Sequence, residues 1–315
     1  MRKLTQKLVL SVVTMALVVI ALGTSTFAWF TLTNKASVGA FTAQVTAGEG
    51  IEITLGDWDD QALEYTAPVA STVWYTVLPS AVIQDYVTNM YDSFRFDNLT
   101  SADGSTIKNE AFNTVTYSRS AKYIEFVLYF RSTAEKTITW NSASLSGLAQ
   151  PWVVNVPSFL ASDNLTTWAI NTTQQVSAWT AARVSIAGSS TYTYQAPAGT
   201  VGGVYNSNAG VESYDLADVS GAFTVGAGTG APYGAAAYGI EAGKTTTYGA
   251  VLPTIHSTSN VNSTPVAILT LAGPTSGYYT GNVTVRVWIE GFDADAFDAI
   301  FNSTLSVQLG FAVQE

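Results

Sequence analysis

Apolar and polar residues alternate along much of the chain, in runs bounded by turn residues. Such alternation is typical of β-strands with one buried face. In the clearest run, Val283, Val285 and Val287 fall on one face, with Arg286 and Trp288 on the other. The predicted strands are 39–47, 51–55, 72–78, 123–131, 137–140, 152–156, 176–186, 191–195, 266–272, 283–289 and 304–313.

After residue 28 a helix is predicted only once, over residues 293–301, where Phe297, Ile300 and Phe301 have helical spacing and follow acidic residues that suit a helix N-terminus. Many strands with little helix favour a mainly β fold, an antiparallel β-sandwich of the jelly-roll kind. A parallel sheet would need crossover helices, which the pattern does not offer. The Gly- and Ala-rich stretch 195–244 predicts long surface loops.

The N-terminal segment 1–28 has the organisation of an export signal, with a basic start followed by the apolar run 8–22. Small residues before the junction predict cleavage between Ala28 and Trp29. The alternative is a retained hydrophobic helix that anchors the protein, because the uncharged run is long enough to cross a bilayer. In both cases residues 29–315 form one extracellular domain at the cell surface.

Composition and charge narrow the function further. Only 11% of residues are charged, and the formal net charge is −10. A domain with this balance has no basic stripe to neutralise phosphates, so we exclude nucleic-acid binding. The chain contains no cysteine, which excludes disulfides, thiolate metal sites and cysteine nucleophiles.

Two stretches near the N-terminus carry a resemblance to a known family: GTSTFAWFT at 23–31 and ASVGAFTAQVTAG at 36–48. They resemble exported proteins of Firmicutes and related bacteria that carry the SipW-type signal, among them TasA-like biofilm fibre proteins and camelysin-like surface proteins. This resemblance implies a jelly-roll-like domain whose N-terminal extended segment is donated to a neighbouring subunit. The sequence departs from the family pattern at 31–33, where Thr-Leu-Thr replaces the usual Asp.

The segment 29–47 is therefore the predicted donor strand, and it alternates as a strand should. Its candidate pairing residues are Val38, Ala40, Phe41 and Val45. We expect a structural subunit of a fibre, surface layer or biofilm matrix that associates with copies of itself by strand complementation. The alternative from the binding class is a membrane-anchored adhesin or carbohydrate-binding surface protein.

Candidate chemistry is sparse. His256 is the one histidine, no G-x-S-x-G motif accompanies it, and a zinc site would need further ligands. We therefore expect no enzyme and no cofactor, although paired carboxylates of a glycoside-active enzyme could come from distant strands. Two acidic groups could bind calcium, but neither has EF-hand spacing, and helix caps and solvated loops explain both more simply. These groups are Glu290, Asp293, Asp295 and Asp298, and Asp57, Asp59 and Asp60.

Overall fold

The chain folds mainly into β-strands that form several antiparallel sheets, which confirms the predicted mainly β class. The computed structural model describes residues 41–48, 50–59, 61–62, 64–69, 71–91, 94–109, 113–154, 159–160, 167–196, 259–291, 300 and 303–314. The predicted N-terminal helix, the helix over 293–301 apart from Ile300, and almost all of the 195–244 loops fall outside these residues.

Most of the described elements are strands, and many of them are short. The strands are β1 (Phe41–Thr46), β2 (Glu52–Leu55), β3 (Asp57–Asp59), β4 (Glu64–Thr66), β5 (Val77–Leu78), β6 (Asn98–Ser101), β7 (Ile107–Asn109), β8 (Ile124–Ser132), β9 (Thr137–Ser146), β10 (Gln150–Val153), β11 (Phe159–Leu160), β12 (Thr167–Trp168), β13 (Thr173–Val176), β14 (Ala182–Ala187), β15 (Thr191–Gln195), β16 (Val266–Thr270), β17 (Ala272–Thr275), β18 (Tyr278–Glu290) and β19 (Leu305–Val313). The helices are α1 (Ser80–Met90) and α2 (Ala178–Ala181).

Two large sheets dominate the described part of the chain. One has five strands in the order β16-β9-β19-β1-β5. The other has eight strands: β15-β14-β18-β6-β7 form one path, β8 also pairs with β18, and β2 and β17 pair with β8 and β18 respectively. The pairs β3-β4, β10-β13 and β11-β12 form small two-stranded sheets.

The predicted alternation is visible in the core. On β8, Phe126 and Leu128 are fully buried, and their register partners on β18 are Val285 and Val283. One hydrophobic cluster contains residues of both large sheets. In that cluster the rings of Phe130 on β8 and Phe311 on β19 lie 5.1 Å apart between centroids.

Two short contacts link the large sheets at their sides. Tyr75 exchanges two backbone hydrogen bonds with Ile53 of β2, at 2.7 and 2.9 Å, before the chain enters β5 in the other sheet. Elsewhere the turn between β14 and β15 reaches β16, where the backbone N–H and the hydroxyl of Ser189 both donate to the Ile268 carbonyl. The outer strands of the five-stranded sheet are thus tied to the other sheet.

The structure corrects two sequence-based assignments. The predicted strand 176–186 is divided by helix α2, because the chain leaves the β10-β13 pair at Val176 and joins the eight-stranded sheet at Ala182. The residue pattern over 176–186 does not reveal such a change of sheet. The predicted strand 72–78 is largely irregular, and the helix α1 that follows it was missed, although its buried residues Ile83, Val87 and Met90 have helical spacing.

Candidate assembly site

The predicted donor segment enters the structure as β1, a strand inside the five-stranded sheet. On one side β1 runs parallel to β19, in a register that extends from Phe41 opposite Leu305 to Thr46 opposite Gly310. On its other side, Val45 and Thr46 pair antiparallel with β5. Strand β1 therefore lies between the last described strand of the chain and a short strand from its first third.

The described part of the predicted donor segment has the expected two-sided character. Val45 is fully buried, whereas its neighbours Gln44 and Thr46 are exposed. Phe41 lies on the same strand, at its first position. The other candidate residues Val38 and Ala40, and the cleavage-site residues Ala28 and Trp29, lie outside the described residues.

A narrow turn joins β1 to the rest of the protein. The Ala47 N–H donates to the Thr76 carbonyl at 2.8 Å, and the Ile51 N–H donates to the Gly48 carbonyl at 3.4 Å. A Cβ atom on Gly48 would lie 2.9 Å from the Cα of Ala312, so a side chain at this position would force the backbone apart. Gly50 has φ of 73°, a conformation that favours glycine. The turn then leads into β2 of the other large sheet.

Helix α1 completes the surroundings of β1. It follows β5 directly after Pro79 and packs against β1. Since β5 pairs with only Val45 and Thr46 of β1, the helix is a further described neighbour of this strand. If β1 were removed, a groove bounded by β19 and β5 would remain in the sheet.

Four tyrosines form a cluster of polar groups that was not predicted from the sequence. The hydroxyl oxygens of Tyr65 and Tyr86 lie 2.6 Å apart, and Tyr91 donates to the Tyr117 hydroxyl at 3.0 Å. These phenols surround the backbone of Glu125 on β8. Its N–H donates to Tyr91 at 2.8 Å, and its carbonyl accepts from Tyr65 at 2.7 Å and from Tyr117 at 3.0 Å.

The phenols bind backbone groups of β8 that a neighbouring strand would otherwise bind. Strand β2 pairs with β8 only from Leu128 to Arg131, so none of the described strands pairs with Glu125 on that side. Burial, reinforced by the neighbouring phenols, raises the pKa of Tyr65 and of Tyr86 well above its usual value. Phenols held neutral and committed to hydrogen bonds offer no phenolate nucleophile, so we interpret this cluster as structural.

Two ion pairs, one largely and one fully buried, lie on the same sheet. Arg286 on β18 contacts the carboxylate of its register partner Glu125 at 2.6 Å, and burial raises the pKa of Glu125 although the guanidinium opposes that shift. Arg183 lies 3.6 Å from Glu290, which also accepts a hydrogen bond from the Trp288 indole at 3.2 Å. Gln195 accepts from the Arg183 guanidinium at 2.9 Å.

The structure thus places the calcium candidate Glu290 in a buried ion pair. The other members of its group, Asp293, Asp295 and Asp298, lie outside the described residues, as do His256 and Asp60. Asp57 begins β3, and Asp59 accepts the backbone N–H groups of Gln61 and Ala62 in the turn after it. Among the described residues, no group of three or more His, Cys, Asp or Glu side chains is arranged to hold a metal ion.

No helix in the described part of the chain is both long enough and apolar enough to cross a membrane. Comparisons of the chain with protein-family models, with curated proteins and with solved structures gave no match.

Proposed function

We propose that this protein is a non-enzymatic structural protein of the cell surface, exported by residues 1–28, that assembles with copies of itself by strand complementation. Its folded part is an antiparallel β-sandwich of the jelly-roll kind. The observation that carries the proposal is the position of β1 between β19 and β5. In the assembled form, β1 of one copy occupies that position in the next copy.

The closed and the exchanged forms make the same local contacts. In both, the β1 backbone pairs with β19, and the Val45 side chain fills the same buried position. Backbone hydrogen bonds supply affinity and the buried side chain supplies register, as in other cases of strand addition. The contacts of β1 therefore cancel between the two forms, and the balance is set by the turn at Gly48 and Gly50 and by protein concentration.

The remaining polar groups support a structural role. The phenols of the tyrosine cluster bind the backbone of Glu125, and each ion pair joins two adjacent strands of one sheet. Groups committed in this way are poor candidates for substrate chemistry. The expected partners are other copies of the chain, together with the membrane if the N-terminal segment is retained.

Single cysteines test strand exchange directly, because the chain has no cysteine of its own. Gln44 on β1 and Gln308 on β19 are exposed register partners. We would express Gln44→Cys and Gln308→Cys as separate full-length proteins, assemble them together, and treat the mixture with a short bismaleimide. Strand exchange predicts a covalent heterodimer, identified by mass spectrometry of the cross-linked peptide.

A matched control uses Thr270→Cys in place of Gln308→Cys. Thr270 is exposed on β16, at the far side of the same sheet, three strand spacings or roughly 14 Å from β1. The double variant Gln44→Cys/Gln308→Cys reports the closed form through an intramolecular cross-link. If electron micrographs show assemblies but the Gln44–Gln308 mixture gives no more heterodimer than the Thr270 control, strand exchange is wrong.

A further inference from the structure

Three exposed valines, four residues apart in the sequence, lie in the segment that leads into β5. Val69, Val73 and Val77 are 68%, 60% and 42% exposed, and we name them the valine patch. Val77 on β5 is the register partner of Thr46, the last residue of β1. The next residue after β1, Ala47, is hydrogen-bonded to Thr76. The patch therefore begins at the exit of the strand.

We propose that the valine patch is a docking surface for a second copy of this chain, the copy that donates β1; this inference rests on the proposed strand exchange. The turn that follows β1 limits the distance between the two bodies. Residues 47–51 span at most about 17 Å when fully extended. The body of the donor must consequently lie close to Thr76 and Val77 of the acceptor, against the surface that carries the valines.

The charge distribution favours the same occupant. The chain has a net charge of −10, so two copies repel each other where charged surfaces meet. Residues 65–84 contain no Asp, Glu, Lys, Arg or His. An uncharged segment with exposed valines lets two acidic copies approach and removes apolar area from water when they meet.

The segment that carries the patch is held in place before any partner arrives. Trp74 follows Val73, and its ring lies 4.4 Å from the Arg131 guanidinium carbon. That guanidinium also stacks on Tyr278 and forms an ion pair of 2.7 Å with Glu52. A fixed segment loses little conformational freedom on docking, which favours its use as a contact surface.

The test compares Val73→Glu with Val153→Glu. Val153 on β10 is 54% exposed and so matches Val73 in residue type and exposure, but it lies far from β1 in the chain. Both variants are made in the full chain, with and without the Gln44 and Gln308 cysteines. We expect Val73→Glu to raise the protein concentration needed for assembly by about tenfold or more in sedimentation velocity, and Val153→Glu to leave it within about twofold.

The outcomes separate this inference from the proposed function. If the Gln44→Cys and Gln308→Cys chains without a valine change form the heterodimer while Val73→Glu assembles like Val153→Glu, the valine patch is not a docking surface and strand exchange stands. If assemblies of those two cysteine chains give no heterodimer, strand exchange itself fails. Thermal unfolding checks that each variant is folded; should Val73→Glu melt early, Val69→Glu, which lies outside any strand, decides in its place.

Discussion

The two faces of the eight-stranded sheet differ sharply in chemistry, although both are buried along β8 and β18. Alternate residues of a strand point to opposite faces. One face carries Phe126 and Val285 and belongs to the hydrophobic cluster that both large sheets share. The other face carries charged groups: Glu125 and Glu290 are buried, and Arg286 is largely buried.

This difference shows how much of the polar face depends on specific pairing. An apolar face tolerates small shifts as long as volume is preserved, whereas a buried charge is stable only with its partner in place. Here the ion-pair partners lie on adjacent strands. The β6–β7 loop lies over this face at β14, where the Ser185 hydroxyl donates to the Gly104 carbonyl at 2.5 Å. The polar face should therefore be more sensitive than the apolar face to single conservative changes.

The largest effect is expected when one ion pair is broken. Arg183→Met keeps much of the side-chain volume but leaves the Glu290 carboxylate buried without its guanidinium, which should lower the free energy of unfolding by about 3–5 kcal/mol. Urea unfolding followed by tryptophan fluorescence measures this change. In the double variant Arg183→Met/Glu290→Gln part of the loss should be recovered, and a loss below about 1 kcal/mol in the single variant would contradict the argument.

A cavity on the apolar face should lower the free energy of unfolding somewhat less than Arg183→Met does. Leu128→Ala removes a fully buried side chain on β8 and should lower the free energy of unfolding by about 2–5 kcal/mol. The conservative change Leu128→Met should cost less than about 1.5 kcal/mol. If Leu128→Met were as damaging as Arg183→Met, the two faces would not differ in the way proposed.

The sequence predicted the apolar face far better than the polar one. Val283, Val285 and Val287, together with Leu305, Val307 and Leu309, alternate as core residues should, and all are buried. Arg286 was placed on the opposite face, where alternation alone suggests solvent. Its ion pair with Glu125 joins residues far apart in the chain, and a loop contacts the neighbouring strand at Ser185.

At the candidate assembly site, too, the sequence predicted the strand but not its partner. Alternation identified 39–47 as a strand, and the structure describes β1 within it. The pairing of β1 with β19 joins residues at opposite ends of the sequence, and no local pattern specifies that partner or its parallel direction. The tyrosine cluster was missed because its members come from separate segments and meet only around the Glu125 backbone.

An intermediate effect is expected within the tyrosine cluster. Tyr117→Phe removes a hydroxyl that accepts from Tyr91 and donates to the Glu125 carbonyl, so the free energy of unfolding should fall by about 1–2 kcal/mol. Tyr129→Phe, on the half-buried part of β8, is the matched control and should change it by less than about 0.5 kcal/mol. Equal effects of the two changes would show that the cluster adds nothing specific.

The cluster also predicts a loss of stability at alkaline pH. Burial raises the pKa of Tyr91 and of Tyr117 above the usual value, so these phenols stay neutral in the folded chain while they ionise in the unfolded chain above about pH 10. Their contribution to the free energy of unfolding is complete below that pH. Above it the contribution declines by about 1.4 kcal/mol per pH unit for each phenol. Urea unfolding between pH 8 and 11 should show a shallower decline in Tyr117→Phe than in the wild type.

The smallest effect concerns the loop that covers the polar face. Asp103 accepts the N–H groups of Ser105 and Thr106 at 2.8 and 2.6 Å, and this turn presents the Gly104 carbonyl to Ser185. Burial alone would raise the pKa of Asp103, but the hydrogen bonds from Thr106 and Ser105 outweigh it and lower the pKa well below its usual range. Asp103→Ala should therefore lower the free energy of unfolding by about 1 kcal/mol at neutral pH.

The pH dependence of this difference in the free energy of unfolding shows whether the Asp103 carboxylate, and not only the shape of the turn, stabilises the loop. A lowered pKa stabilises the fold above the unfolded value of about 4, and the contribution disappears as the pH falls further through the folded value. The gap between wild type and Asp103→Ala should then narrow below about pH 4. Asp59→Ala removes a similar turn carboxylate in the small β3–β4 sheet, away from Ser185, and should cost less. A gap that stayed constant down to pH 2 would mean that the Asp103 carboxylate does not hold the loop over the polar face.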